Sequence, residues 1–93
     1  MIVKLNGKDY TANTPEKNRI KIIKDFDDSD ITFFKKWMEE SFDKDTGESL
    51  SKREYVKDIN FTSKIHSGTF INCFPCELDE EYVVLAYDTI NIL

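Results

Sequence analysis

The spacing of apolar residues along the chain changes from two to between three and four, and back again. Ile2–Leu5 reads as a short strand, followed by Asn6-Gly7, a pair that favours the positive φ values of a type I′ hairpin turn. Residues 8–12 form the return strand, which Asn13-Thr14-Pro15 breaks. Residues 19–26 open with Ile20 and Ile22 on one face and Arg19 and Lys21 on the other, the pattern of a strand buried on one side. The period then lengthens. Asp27-Asp28-Ser29-Asp30 supplies side chains that cap a helix, and their negative charge suits its N-terminus. Ile31, Phe34, Trp37, Met38 and Phe42 follow at spacings of three and four, the stripe of an amphipathic helix over about residues 30–42. Phe33 lies beside the stripe, and Lys35, Lys36, Glu39 and Glu40 fall mainly on the polar side.

Residues 43–53 are polar, contain Gly47 and read as an exposed loop. Alternation returns over residues 55–65, with Ile59, Phe61 and Ile65 on one side and Asp58, Asn60, Thr62 and Lys64 on the other. His66-Ser67-Gly68 reads as the turn, and residues 69–74 as the second strand of the same hairpin, ended by Pro75. Asp79-Glu80-Glu81 makes another turn. Residues 82–92 form the final strand, whose first half is apolar on both faces and belongs at the centre of a sheet. The order β-β-β-α-β-β-β predicts an α+β fold: an antiparallel sheet or half-open β-barrel of about six strands with one amphipathic helix. The expected core is Ile20, Ile22, Phe34, Trp37, Met38, Ile59, Phe61, Phe70, Val84 and Leu85.

Length and composition narrow this further. Ninety-three residues make a single domain, 1–93, and 40% hydrophobic with 13% aromatic content is too apolar for a disordered chain. Thirteen Lys and Arg against 18 Asp and Glu give a net charge of -5. Phosphate-backbone binding needs clustered Lys and Arg. Here the densest basic stretches, 21–24 and 35–36, have acidic neighbours, so direct sequence-specific nucleic-acid binding is not expected. The N-terminus lacks the charged and long apolar regions of a signal peptide. The longest apolar run, residues 82–87, is far short of the ~20 residues of a membrane helix. A protein without a membrane association, made in a cytoplasm, is the expectation.

Cys73-Phe74-Pro75-Cys76 is the only CxxC, and the two cysteines are too few for a disulfide framework. In redox sites such a pair sits at a helix N-terminus, which lowers a thiol pKa; here acids and then a strand follow. A structural zinc needs four ligands, and Cys73, Cys76 and His66 supply three. Both cysteines read instead as strand-end residues, at least one of them packed. His66, the sole histidine, falls in a turn with no nucleophile to serve. Asp27/Asp28 and Glu39/Glu40 are sequence neighbours, not a pair across a cleft. Gly7, Gly47 and Gly68 are isolated and form no phosphate loop. Asp43-Lys44-Asp45-Thr46-Gly47-Glu48 departs from the calcium-loop pattern, with Gly at its fifth position. No catalytic residue, cofactor or metal is expected. Partner contact is expected from the charged loop, through Asp43, Lys44, Asp45, Lys52 and Arg53, and from Glu77, Asp79, Glu80 and Glu81.

One combination of elements points to a family. A strand over residues 19–26 leads into a helix carrying Phe34 and Trp37, and a polar loop follows. A long hairpin over residues 55–74 runs into Phe70-Ile71-Asn72-Cys73-Phe74-Pro75, and the last strand contains Tyr87-Asp88-Thr89-Ile90. Over residues 19–93 this resembles the C-terminal part of the tail-tube proteins of contractile bacteriophages and related injection machines. Tube subunits have more sheet before the helix, where this chain has only residues 1–18. The resemblance therefore implies a structural virion protein of a tail tube or baseplate. Such a protein assembles with itself or with other virion proteins through strand edges and loops, in the virion or in the host cytoplasm before assembly. It implies no catalytic residues. Charge alone supports a different expectation: a small acidic inhibitor of the anti-defence type, whose stretches 25–30 and 77–81 imitate phosphates and block a host nucleic-acid-binding protein.

Overall fold

The computed structural model describes residues 1–23, 26–41 and 55–93. Seven strands and one helix lie among them: β1 (Ile2–Leu5), β2 (Lys8–Thr11), β3 (Arg19–Ile23), α1 (Asp28–Ser41), β4 (Lys57–Thr62), β5 (Ser67–Leu78), β6 (Tyr82–Ala86) and β7 (Thr89–Ile92). Every strand pairing is antiparallel, in the order β2-β1-β4-β5-β6-β3, with β7 beside β5. The sheet curls into a half-barrel. An isolated bridge between Ala12 and Ile22, and the Asn13 N–H donating to the Lys21 carbonyl at 2.9 Å, draw its two ends together.

The local chemistry explains the elements. Asn6 (φ 54°) and Gly7 (φ 74°) both adopt the positive φ that a two-residue hairpin turn with right-handed twist requires. A second such turn, Lys17 (φ 52°) and Asn18 (φ 59°), precedes β3. It is closed by reciprocal backbone hydrogen bonds between Glu16 and Arg19 at 2.9 Å. The helix starts earlier than the apolar stripe predicts, because Asp27 caps it. Asp27 Oδ1 accepts the Asp30 N–H at 2.8 Å and Asp30 Oδ2 accepts the Asp27 N–H at 3.1 Å, a reciprocal capping box. Phe34 and Trp37 are buried on the sheet, and the Trp37 indole N–H donates to the Tyr55 carbonyl at 2.7 Å.

β5 organises the whole sheet, and here the structure departs from the expected strands. Pro75 does not end the strand. β5 runs through both cysteines to Leu78, and Pro75 is tolerated beside a bulge where the register with β6 shifts. Asn72 takes a positive φ of 58° at another bulge, opposite β4. The extra residue inverts the alternation: Gly68 and Phe70 face inward before it, Cys73 and Pro75 after it. The final strand is also interrupted. β6 and β7 lie end to end along one edge of β5 and break at Tyr87-Asp88, opposite the Asn72 kink. Asn72 Nδ2 donates to Asp88 Oδ2 at 3.0 Å, and Asn18 Nδ2 donates to the Tyr87 and Asp88 carbonyls at 3.3 and 3.2 Å. Two asparagines thus hold the bend from both sides.

The core includes Ile20, Ile22, Phe34, Trp37, Ile59, Phe61, Phe70 and Leu85, joined by Val3, Tyr10, Cys73 and Val83. Met38 and Val84 are corrections: both are half-buried. Val83 and Leu85 take the inward face of β6, so Val84 points the other way, and Met38 lies at the margin of the helix stripe. Ile65 is a further correction. β4 ends at Thr62, and the Ser63 hydroxyl oxygen accepts the N–H groups of Ile65 and His66 at 3.3 and 3.2 Å. That turn lifts Ile65 out of the strand pattern, leaving it 84% exposed. The hairpin turn is therefore residues 63–66, not His66-Ser67-Gly68.

Candidate functional site

The two ends of the half-barrel differ in chemistry. The helix end is closed by aromatic rings and one buried carboxylate. Tyr10 packs edge-on against Phe34 at 5.7 Å and Phe26 at 6.1 Å. Asp30, 4% exposed, accepts the Tyr10 hydroxyl at 2.6 Å and the Lys8 ammonium at 3.0 Å. Burial pushes the Asp30 carboxyl up, but the Tyr10 hydroxyl, Lys8 and the Asp27 N–H outweigh it and hold it down at about 2. Burial and the same carboxylate push the Tyr10 phenol up. These hydrogen bonds tie α1 to β2.

Among the described residues the other end stays open. A cleft of about 750 Å³ lies where β1, the 63–66 turn and β7 converge. Its floor is Phe61 and Phe70, stacked at 4.6 Å between ring centroids. Its rim includes Ile2 (42% exposed), Ile65 and Ile92 (58% exposed). The register explains why apolar groups gather here: Ile90 pairs with Phe70 and Ile92 with Gly68, so both isoleucines share the inward face of the sheet. Gly68 makes room for this. A Cβ there would collide with the Asn91 carbonyl oxygen and crowd the Phe61 ring. β7 is hydrogen-bonded to β5 along one edge, and among the described residues no strand covers its other edge.

Those of the expected partner-contact residues that the structure describes lie elsewhere. Glu77, Asp79, Glu80 and Glu81 are exposed around the β5–β6 hairpin tip, at the end of β5 away from the cleft. Two of them shape that tip: Glu77 accepts the Tyr82 hydroxyl at 2.7 Å, and Asp79 Oδ1 accepts the Glu81 N–H at 3.2 Å. Asp43, Lys44, Asp45, Lys52 and Arg53 fall outside the described residues, as does the segment with the calcium-loop pattern. The cysteines sit within β5, not at a strand end. Burial pushes the Cys73 thiol up to about 12, helped by the Asp58 carboxylate, and burial also raises the half-buried Cys76. Each thiol donates to a backbone carbonyl, Cys73 to Phe70 and Cys76 to Val84. His66 is exposed at the cleft rim. Among the described residues no group of three or more His, Cys, Asp or Glu side chains is placed to hold a metal ion, and no helix is long and apolar enough to cross a membrane.

The strand of Ile90 and Ile92 is legible in the sequence, and the cleft is not. The residues lining it come from both ends of the chain and from one turn, so no local pattern marks them. The one legible signal is the run Thr89-Ile90-Asn91-Ile92, an alternating strand with neither charge nor proline. No protein-family model, curated protein or solved structure matches the chain.

Proposed function

We propose that this chain is a structural assembly protein that docks through the outer edge of β7 and the apolar cleft beside it. The observation that carries this is the unblunted edge. Strand edges in monomeric proteins are usually guarded by Lys, Pro, bulges or a covering element. Among the described residues no strand pairs with the outer edge of β7, which has no charge, carries the exposed Ile92 and shares the cleft rim with exposed Ile65. The resemblance of residues 19–93 to tail-tube proteins supports the finer reading, a component of a phage-type tail tube or baseplate, because such assemblies grow by strand pairing between subunits. Native mass spectrometry over a range of concentrations tests it, on the wild type and on Ile92→Lys. The expected result is a closed oligomer that the lysine disperses. A wild type that stays monomeric removes self-assembly and restricts the edge to a different protein.

The exposed carboxylates at the β5–β6 tip favour a second reading, an acidic inhibitor of a nucleic-acid-binding protein. Its complex would dissociate steeply as salt rises, whereas edge pairing over an apolar cleft would not.

A further inference from the structure

The cleft differs in charge from the rest of the molecule. The chain has 18 acidic residues, yet among the described residues none lines the cleft. The ionisable side chains among its described lining residues are Lys64 and His66, both exposed on the 63–66 turn. Among the described residues neither has an ion-pair partner, whereas Lys8 is paired with Asp27 and Asp30. The only other ionisable group there, the Met1 amine, donates to the Ala12 carbonyl at 3.0 Å. Among the described residues the cleft thus joins three kinds of complementarity at one place: an apolar floor, a β7 edge that no strand pairs with, and an exposed cation without an ion-pair partner beside an imidazole at the rim.

From this we infer the partner's chemistry, resting on the edge-docking reading above. The occupant is an extended segment of a neighbouring subunit of the assembly, which pairs with β7 as an added strand. Alternate apolar side chains of that segment lie beside Ile90 and Ile92, over the mouth of the cleft that Phe70 floors, and an Asp or Glu flanking them meets Lys64 and His66. Main-chain hydrogen bonds supply the general affinity. The apolar alternation sets the register, and the carboxylate sets the direction, because a cation at the opposite end of the segment would face Lys64.

Selection of a displayed library of random eight-residue peptides on the full chain tests this, followed by titration of one enriched peptide made with and without alternate backbone N-methyl groups. The expected enrichment is alternating Val, Ile or Phe with Asp or Glu at one flank. Replacing that acid with Lys should weaken binding about five- to tenfold at low salt, a rim-exposed charge effect. On Lys64→Glu the preference should reverse towards Lys or Arg at the same flank, a change at an exposed residue that leaves the core untouched. Enriched peptides that alternate and lose binding on N-methylation, but show no acidic flank and no reversal, overturn the carboxylate inference while the edge reading stands. Failure to enrich any alternating peptide overturns both.

Discussion

Asp30 shows how a single polar residue can be fixed by everything around it. It caps α1 with Asp27, accepts from Tyr10 and Lys8, and is almost fully buried. Its carboxyl is held at about 2, below its ordinary 3.8, so the folded state binds the proton less readily than the unfolded chain. The resulting stabilisation, about 2 kcal/mol, is complete above pH 4 and fades as pH falls towards 2. Chemical denaturation between pH 2 and 7 should show that loss, and Asp30→Asn should flatten the acid limb while lowering stability at neutral pH. Two neighbouring turn residues predict opposite outcomes. Lys17 adopts positive φ with a side chain that gains no hydrogen bond among the described residues, so Lys17→Gly should stabilise by about 0.5 kcal/mol. Asn18 shares that backbone region but also ties down the β6–β7 bend, so Asn18→Gly should destabilise by about 1 kcal/mol. Thermal melts of the two variants distinguish the effects.

At the scale of elements, periodicity was informative wherever a strand or helix was regular. The first hairpin, the start of β3 and the helix stripe all followed from apolar spacing and Asn-Gly or Asp chemistry. It failed at β5, because one extra residue at Asn72 swaps the inward and outward sets, and nothing in the local sequence announces a bulge. That swap buries Cys73 in the core. Alkylation by iodoacetamide at pH 8 should therefore leave Cys73 roughly a hundredfold slower than a free thiol, with Cys76 intermediate and both reacting fully on unfolding. Gly68 governs the other half of the strand. Gly68→Ala would press on the Asn91 carbonyl and Phe61, costing about 2 kcal/mol and lifting β7. Hydrogen exchange at residues 89–92 should speed up in that variant before the rest of β5 responds.

For the molecule as a whole, the decisive feature is an asymmetry between a closed end and an open one. Helix α1, Tyr10 and Asp30 seal one end of the half-barrel, while the cleft end exposes Ile2, Ile65, Ile92 and the β7 edge. A net charge of -5 keeps such molecules apart at long range, so the self-assembly proposed above would rest on short-range burial at the edge. Burial of that edge in an oligomer would stabilise the folded subunit by mass action. The melting temperature should therefore rise with protein concentration in the wild type and stay flat in Ile92→Lys, as scanning calorimetry at several concentrations would show.

The sequence by itself determined the α+β class, the amphipathic helix α1, its acidic cap and the first hairpin, because each depends on contacts within a few residues. Most of the expected core also emerged this way, since alternation reports which side of a strand is inward. Tertiary structure alone decided the rest. The phase of β5 after Asn72, the split of the last strand, the exposure of Ile65 and the half-burial of Met38 and Val84 all depend on partners distant in the chain. The cleft is the clearest case: β1, β4, β5 and β7 bring Ile2, Phe61, Phe70 and Ile92 together only when the sheet curls, and curl is a property of paired strands.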